Sequence, residues 1–247
     1  MRAIMDDLFR AFSLLTRLPM PQVPDGDDGY ARCVWAFPLV GAVIGALSAL
    51  LWFGGQFAGL GLSLSAGLVV AFQLLLTGAM HEDGIADFAD GLGGGNDPER
   101  RLAIMRDSCI GTYGVVALIV IVGLRWSAIA SLGLHMVLAG LICSALIGRL
   151  VMAVLPGILE PAREEGLGTL VARPSRKTLF VALLISAVVL FLHLPSMVAM
   201  VSIIAAILSV CWIAMLAKRS IGGYTGDVLG AAGLTAETAA LLVFASV

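Results

Sequence analysis

The sequence predicts an all-α fold: a polytopic transmembrane helix bundle of about seven spans, with an N-terminal interfacial helix and short cytoplasmic helices. Three observations carry that expectation. The chain of 247 residues is 60% hydrophobic and only 13% charged, with a mean hydropathy of +1.01, whereas soluble domains are near half apolar and a quarter charged. Its apolar residues gather in runs of about 17 to 25, the length that crosses a hydrocarbon core. Its loop Lys and Arg residues all fall on one side of those runs, as the positive-inside bias requires of a multi-pass protein.

The first residues, "MRAIMDDLFRAFSLLTRLPMP", are too charged and too acidic for a cleaved signal peptide. Ile4, Leu8, Phe12 and Leu15 recur at helical spacing, so this segment reads as a helix lying on the membrane until Pro19 and Pro21 break it. Spans follow over about 34–54, 62–80, 111–132, 135–155, 178–194, 196–217 and 230–247, with Pro38 interrupting the first and Glu237 sitting within the last. Arg2, Arg10, Arg17 and Arg32 precede or open the first span. Arg100, Arg101 and Arg106 lie in the 81–110 loop, Arg163, Arg173, Arg176 and Lys177 in the 156–177 loop, and Lys218 and Arg219 in the 218–229 loop. The intervening connections near 55–61, 133–134 and 195 carry no Lys or Arg. The N-terminus and the three polar loops are therefore expected in the cytoplasm, and an odd number of spans puts Val247 outside. Cys33, Cys109, Cys143 and Cys211 form no CxxC pair and no metal spacing, so they read as packing residues. With no repeat and no linker, residues 1–247 read as a single integral membrane domain whose surroundings are lipid, with no nucleic-acid partner expected.

Of the 17 acidic residues, all but Glu237 lie in the cytoplasmic segments or at their helix ends. Positive-inside bias does not explain acids, so this face uses carboxylates for something. The stretch "MHEDGIADFADGLGGGNDPERRLAIMRDSCIG" holds seven of them. Asp83, Asp87 and Asp90 are spaced i, i+4, i+7, which places three carboxylates within a stripe of about 60° on a helix turning about 100° per residue. Glu82 lies about 100° off that stripe and His81 nearly opposite it. Like charges at the edge of a bilayer call for a counter-charge, and clustered hard oxygen ligands favour Mg²⁺ or Mn²⁺. The glycines of "GLGGG", Gly93 and Gly94 among them, make a backbone too permissive to extend the helix and suited to close approach by a ligand. Asp97 and Pro98 look like the cap and first residue of a short helix carrying Arg100, Arg101, Arg106 and Asp107. Carboxylates that hold a metal, beside arginines that neutralise phosphate oxygens, are the usual apparatus of phosphoryl transfer. A solvated loop of ion pairs is the plainer alternative, but single-face spacing at a membrane border weighs against it. On the same side, "KRSIGGYTGDVLGA" presents Lys218, Arg219 and Asp227. Arg149, about two turns inside the fourth span, is a functional-site candidate, whereas Arg125, deeper still, reads as structural.

These residues resemble the membrane-bound cobalamin synthases, the adenosylcobinamide-GDP ribazoletransferases. The resemblance rests on "TRLP" at 16–19, "FPLVG" at 37–41, "HEDGIADFADGLGGG" at 81–95, "RRLAIMRDSCIGTYG" at 100–114, "GR" at 148–149, "AREEGLG" at 162–168 and "GGYTGDVLGA" at 222–231, in order along nearly the whole chain. It implies a Mg²⁺-dependent enzyme of the bacterial cytoplasmic (inner) membrane with its active site facing the cytoplasm. There α-ribazole, or its 5′-phosphate, attacks the cobinamide-linked phosphate of adenosylcobinamide-GDP and GMP leaves. In the mechanism this suggests, Asp83, Asp87, Asp90 and Asp107 hold the metal, with Glu82 a further candidate ligand. Asp107 accepts the hydroxyl proton, and Arg149, Lys218 and Arg219 hold phosphate oxygens. Glu82 stands where many members of this family carry an aliphatic residue. Asp87 and Asp90 also match the start of the CDP-alcohol phosphotransferase signature, but Gly94 and Gly95 stand where Ala-Arg would follow. A lipid-forming CDP-alcohol transferase is thus one alternative and a cation-coupled secondary transporter another, although transporter sites sit near the bilayer midplane rather than at one edge. Homo-oligomer formation is left open.

Overall fold

A computed structural model describes residues 2–23 and 29–247. Among these residues the chain is helical throughout, with no strand beyond one isolated bridge. Helix α1 covers Arg2–Leu15, a 3₁₀ segment covers Gly29–Ala36, and α2 covers Phe37–Phe57. Helices α3 (Leu62–Thr77) and α4 (Met80–Gly94) follow, then a short α5 (Pro98–Ile104), α6 (Thr112–Ser131) and α7 (Val137–Val154). The last four are α8 (Leu167–Leu170), α9 (Arg176–His193), α10 (Ser196–Ile221) and α11 (Gly226–Phe244). Six of these helical segments are long and apolar enough to cross a membrane, and α3 and α4 meet that standard only as a pair bent by 87°.

Two features of the expected spans are corrected by the geometry. Pro38 does not interrupt a helix; it sits in the first turn of α2, where its fixed φ suits a helix start and its missing N–H costs nothing. The second span ends at Thr77, because Gly78 and Ala79 adopt φ of 67° and 55°. Left-handed backbone at two successive residues cannot continue a right-handed helix, and Ala79 pays a steric cost to adopt it. The chain therefore turns, and α4 starts in a new direction.

The bundle is built around α7 and α11, the most enclosed of its spans, while α9 and α10 are the least enclosed. Phe191, Leu192, Ile204 and Leu208 on these outer helices are at least half exposed, as a lipid-facing surface requires. Small residues set the central contacts: a Cβ at Gly41 or Gly45 of α2 would strike the backbone of Ala145 or Leu141 in α7. With no hydrophobic drive between helices in lipid, such close backbone approach is a main source of association. The chain's alternation then brings α1, the α3–α4 turn, α5, α8 and the first turns of α6, α9 and α11 to one end of the bundle. That end contains the four charged segments.

Helix α1 matches expectation in extent, but its face does not simply rest on lipid. Ala11 and Leu15 are buried in protein, while Ile4 and Met5 stay exposed. Asp7 is buried and accepts from Arg32 Nε at 2.9 Å and Trp35 Nε1 at 3.1 Å. Cys33 and Cys143 are buried, as packing residues should be, whereas Cys109 and Cys211 are exposed.

Candidate functional site

Helix α4 carries the acidic stripe, and it packs against the first turns of α11 in opposite chain sense. His81 lies against Gly230 and Gly84 against the backbone of Asp227, each contact leaving no room for a further methyl group. The carboxylates of α4 thus sit at the level of the α11 N-terminus and the 105–111 loop, outside the spanning segments. Asp83 is exposed and Asp87 half-buried, and neither side chain has a hydrogen bond or ion pair among the described residues. Burial pushes the Asp87 carboxyl up to about 7, with the nearby charges of Asp83, Asp227 and Asp90 adding to the shift and Arg163 opposing it. Burial first, and like charges nearby second, make such a group hold its proton.

Asp90 does something different from its two neighbours. Its carboxylate is buried and accepts from the backbone N–H of Gly111 at 2.7 Å and of Gly114 at 2.9 Å. Two glycines are needed there, because a Cβ at either would meet the Asp90 carboxylate. Asp90 therefore caps α6 and fastens it to α4, satisfying orphan donors at a helix start.

Of three clefts that border Asp83, two carry other acids as well. One, with a volume of about 490 Å³, is lined by Glu82, Asp83, Asp87, Arg106 and Asp107, with Met105 and Leu118 among its apolar walls. Glu82 is buried with Oε2 unpartnered. Asp107 is exposed and accepts from Cys109 N–H at 3.1 Å, which holds the loop in a tight turn. The other cleft, with a volume of about 140 Å³, runs between α1, α4, α7 and α11, and its mouth is marked by Asp83, Arg163 and Asp227. Arg163 donates to Asp227 at 3.3 Å, and the Thr225 hydroxyl donates to the same carboxylate oxygen at 3.0 Å. The loops that supply these residues are docked on one another. Ala162 N–H donates to Tyr224 O at 2.8 Å, and Tyr224 N–H to Glu160 O at 3.0 Å.

Several expected site residues lie elsewhere. The glycine-rich run does not stop the helix as expected: α4 extends through Gly94, and the run packs on its own neighbours. A Cβ at Gly93 would strike the Tyr113 ring, at Gly91 the Met105 side chain, and at Gly95 Arg101, while at Gly94 it would press on Ile104 at 3.2 Å. Arg101 is engaged with backbone, donating to Gly95 O and Ser220 O, each at 3.0 Å. Asp97 does cap α5, accepting from Arg100 N–H at 2.8 Å, but the Arg100 side chain is exposed. Lys218 and Arg219 are exposed at the end of α10 and line neither cleft.

Arg149 also lies apart from the acidic stripe. Buried in the bundle, it pairs with Glu237 of α11, and Arg125 of α6 pairs with the other oxygen of that carboxylate at 2.9 Å. Arg125 further donates to Gln73 Oε1 at 2.6 Å. The counter-ion of Arg149 is thus the one acid that the sequence places within a span. Arg163 and Glu237 are the residues that sequence reasoning missed. The signal for Glu237 was present, since an acid in a span needs a cation and only Arg125 and Arg149 stood in others.

Among the described residues no group of three or more acidic, His or Cys side chains is placed to enclose a metal ion. Mg²⁺ is commonly bound through one or two carboxylates plus substrate phosphates and retained waters. Asp83 and Asp87, hard oxygen donors with no hydrogen bond or ion pair among the described residues, fit such a site.

The comparisons with known proteins agree among themselves. Residues 7–245 match the model of the family described as cobalamin-5-phosphate synthase. A Bradyrhizobium diazoefficiens protein named adenosylcobinamide-GDP ribazoletransferase is 42% identical, over 99% of this chain and 95% of its own. Proteins of the same name from Sinorhizobium medicae and Xanthobacter autotrophicus are each 39% identical, over 97% and 98% of this chain and 96% and 94% of their own. No solved structure matches.

Proposed function

The chain belongs to the cobalamin-5-phosphate synthase family, and from that premise we propose that it is an adenosylcobinamide-GDP ribazoletransferase working at the charged end of its bundle. A ribose hydroxyl of α-ribazole, one that is free in its 5′-phosphate as well, attacks the cobinamide-linked phosphorus. The bond from that phosphorus to the oxygen of GMP breaks, and the hydroxyl proton passes to a carboxylate. The observation that carries this reading is the cleft in which Asp83, Asp87 and Asp107 stand beside Arg106.

Asp83 and Asp87 would hold Mg²⁺, which when bound supplies charge neutralisation at the pyrophosphate oxygens. Ionised Asp87 is disfavoured by its neighbours, so a cation in the cleft relieves repulsion that the fold otherwise tolerates. Arg106 offers a guanidinium to phosphate oxygens on the same wall. Asp107, free of α4 and carried on an exposed turn, is the carboxylate best placed to take the proton. Asp90 and Glu82 support the site from behind, Asp90 by capping α6. Arg149 acts within the bundle through Glu237 rather than on a phosphate. The site faces the cytoplasm of the inner membrane, on the evidence of its Lys and Arg residues. Neither the transporter nor the CDP-alcohol transferase alternative gains support from the family match.

The test is GMP release by purified protein given adenosylcobinamide-GDP and α-ribazole across a Mg²⁺ titration. Release that needs both substrates and rises with Mg²⁺ is the expected result. Release unchanged by chelation would overturn the metal, and no release at any Mg²⁺ concentration would overturn the reaction.

A further inference from the structure

The second cleft differs in character from the acidic one. Its walls are Leu15, Phe37, Met152, Val171 and Leu229, each less than 7% exposed. These side chains come from α1, α2, α7, the end of α8 and α11, so they belong to the interior of the bundle and not to the lipid-facing surface of α9 and α10. Polar groups occur only at the mouth, where Arg163 bonds to Asp227 and Asp83 stands on the border with the acidic cleft. A molecule lodged here would have an apolar body, a polar end, and that polar end beside the carboxylates.

The two substrates of the proposed reaction differ on this point. The corrin macrocycle is too large for a cavity of about 140 Å³, which is on the scale at which an apolar cavity holds a single small aromatic ring. Guanine presents donors and acceptors along its edge that apolar walls would leave unpaired and desolvated. The ribazole nucleoside has the matching shape: a flat, alkylated aromatic base at one end and a hydroxylated ribose at the other.

We propose that this apolar cleft is the acceptor subsite, holding the aromatic base of α-ribazole among Phe37, Met152 and Val171 with its ribose directed to Asp83. The assignment rests on the transferase reading above. It makes Val171 and Met152 determinants of which base is accepted. Met152 suits that role because an unbranched thioether fills space adaptably against aromatic rings. The Arg163–Asp227 pair, at 3.3 Å and with side chains 15% and 17% exposed, stands at the entrance where the ribose hydroxyls would pass.

Steady-state kinetics of Val171→Phe test the proposal. Added bulk should raise KM for α-ribazole about tenfold or more, the scale on which a pocket senses a methylene or two, while KM for adenosylcobinamide-GDP stays within about twofold. The nucleoside of unsubstituted benzimidazole, smaller by two methyl groups, should recover most of the loss. Met152→Ala is the complementary variant and should shift preference toward a bulkier base such as a naphthimidazole. Equilibrium dialysis of labelled α-ribazole against each detergent-purified protein supplies a readout independent of turnover. Wild-type protein that binds α-ribazole without releasing GMP, with binding lost in Val171→Phe, would uphold the subsite and sink the reaction. Normal turnover with both variants at wild-type KM for α-ribazole would uphold the reaction and sink the subsite, as would a rise in KM for adenosylcobinamide-GDP alone, which would place the other substrate or its nucleotide in the cleft.

Discussion

Removing Glu237 should cost this protein more than removing either arginine it binds. Arg125 and Arg149 have side chains 3% and 5% exposed, and Glu237 is 2% exposed. Within the triad Arg125 Nη1 and Arg149 Nε already lack partners, so no spare acceptor stands ready to replace the carboxylate. Glu237→Met leaves two enclosed guanidiniums facing one another with nothing between them. Breaking a buried pair in this way costs about 3–5 kcal/mol, which for a chain of this size corresponds to a fall in Tm on the order of 10 °C. Arg149→Met leaves a balanced Arg125–Glu237 pair, and Arg125→Met leaves Arg149 with Glu237, so each single loss should be clearly smaller. Replacing all three by Met removes every stranded charge and should restore much of the stability, because apolar replacement of a whole buried ionic group is often neutral or better. Thermal unfolding in detergent, followed by far-ultraviolet circular dichroism, measures all four variants. A Glu237→Met protein with an unchanged midpoint, or an Arg149→Met protein less stable than Glu237→Met, would refute this reasoning.

Other outcomes follow from the acidic end. Asp87→Asn should lower GMP release by about a hundredfold or more, on the scale of losing transition-state charge stabilisation, yet raise thermal stability in metal-free buffer at pH 8. The sign follows from a carboxyl held up to about 7: wild type loses stability as pH rises from the unfolded carboxylate range through 7, and Asn does not. The two proteins should therefore converge below pH 4, and a variant less stable at pH 8 would show that the neighbours do not repel Asp87. Asp90→Ala should behave oppositely, losing activity together with about 1–2 kcal/mol of stability, since two cap hydrogen bonds disappear; activity lost at full stability would assign Asp90 to the reaction instead of the cap. For topology, Cys substitutions at Asn96 and Ser175, in a background without Cys109 and Cys211, should resist an impermeant thiol reagent in intact cells. Labelling at either would reverse the orientation.

The helices and the acids of α4 were legible because each depends on local pattern: apolar length for the spans, i, i+4, i+7 spacing for Asp83 and Asp87. Asp97 was legible for the same reason, a cap followed by Pro98. What could not be read locally was pairing over distance. Asp90 shares the stripe with Asp83 and Asp87 on a helical wheel, yet its carboxylate is taken by Gly111 and Gly114, more than twenty residues on. The glycines at 93 and 94 carry the composition of a ligand loop, and only the position of Tyr113 and Ile104 shows that they make room for the protein's own side chains. Arg163 was one of four basic residues in a loop, and its partnership with Asp227 depends on two loops meeting through Tyr224.

The buried triad and the exposed acids are joined through α11. Glu237 lies ten residues beyond Asp227 on that helix, about 15 Å along its axis. Helix α4 packs closely against the same helix at two points, His81 on Gly230 and Gly84 on Asp227. Any rotation of α11 therefore moves Asp227 relative to Asp83 and Asp87, and with it the mouth of the apolar cleft. Arg125 and Arg149 approach Glu237 from α6 and α7 and fix that rotation with directional ionic bonds, which apolar contacts alone would not do. On this view Arg149 serves catalysis without touching a phosphate: it sets the angle at which α11 presents Asp227. Arg149→Lys keeps the charge but offers a single flexible ammonium in place of a planar fork, so it should disturb α-ribazole KM through Asp227 more than it lowers the unfolding midpoint. A turnover loss confined to kcat, with both KM values unchanged, would instead return Arg149 to the transition state.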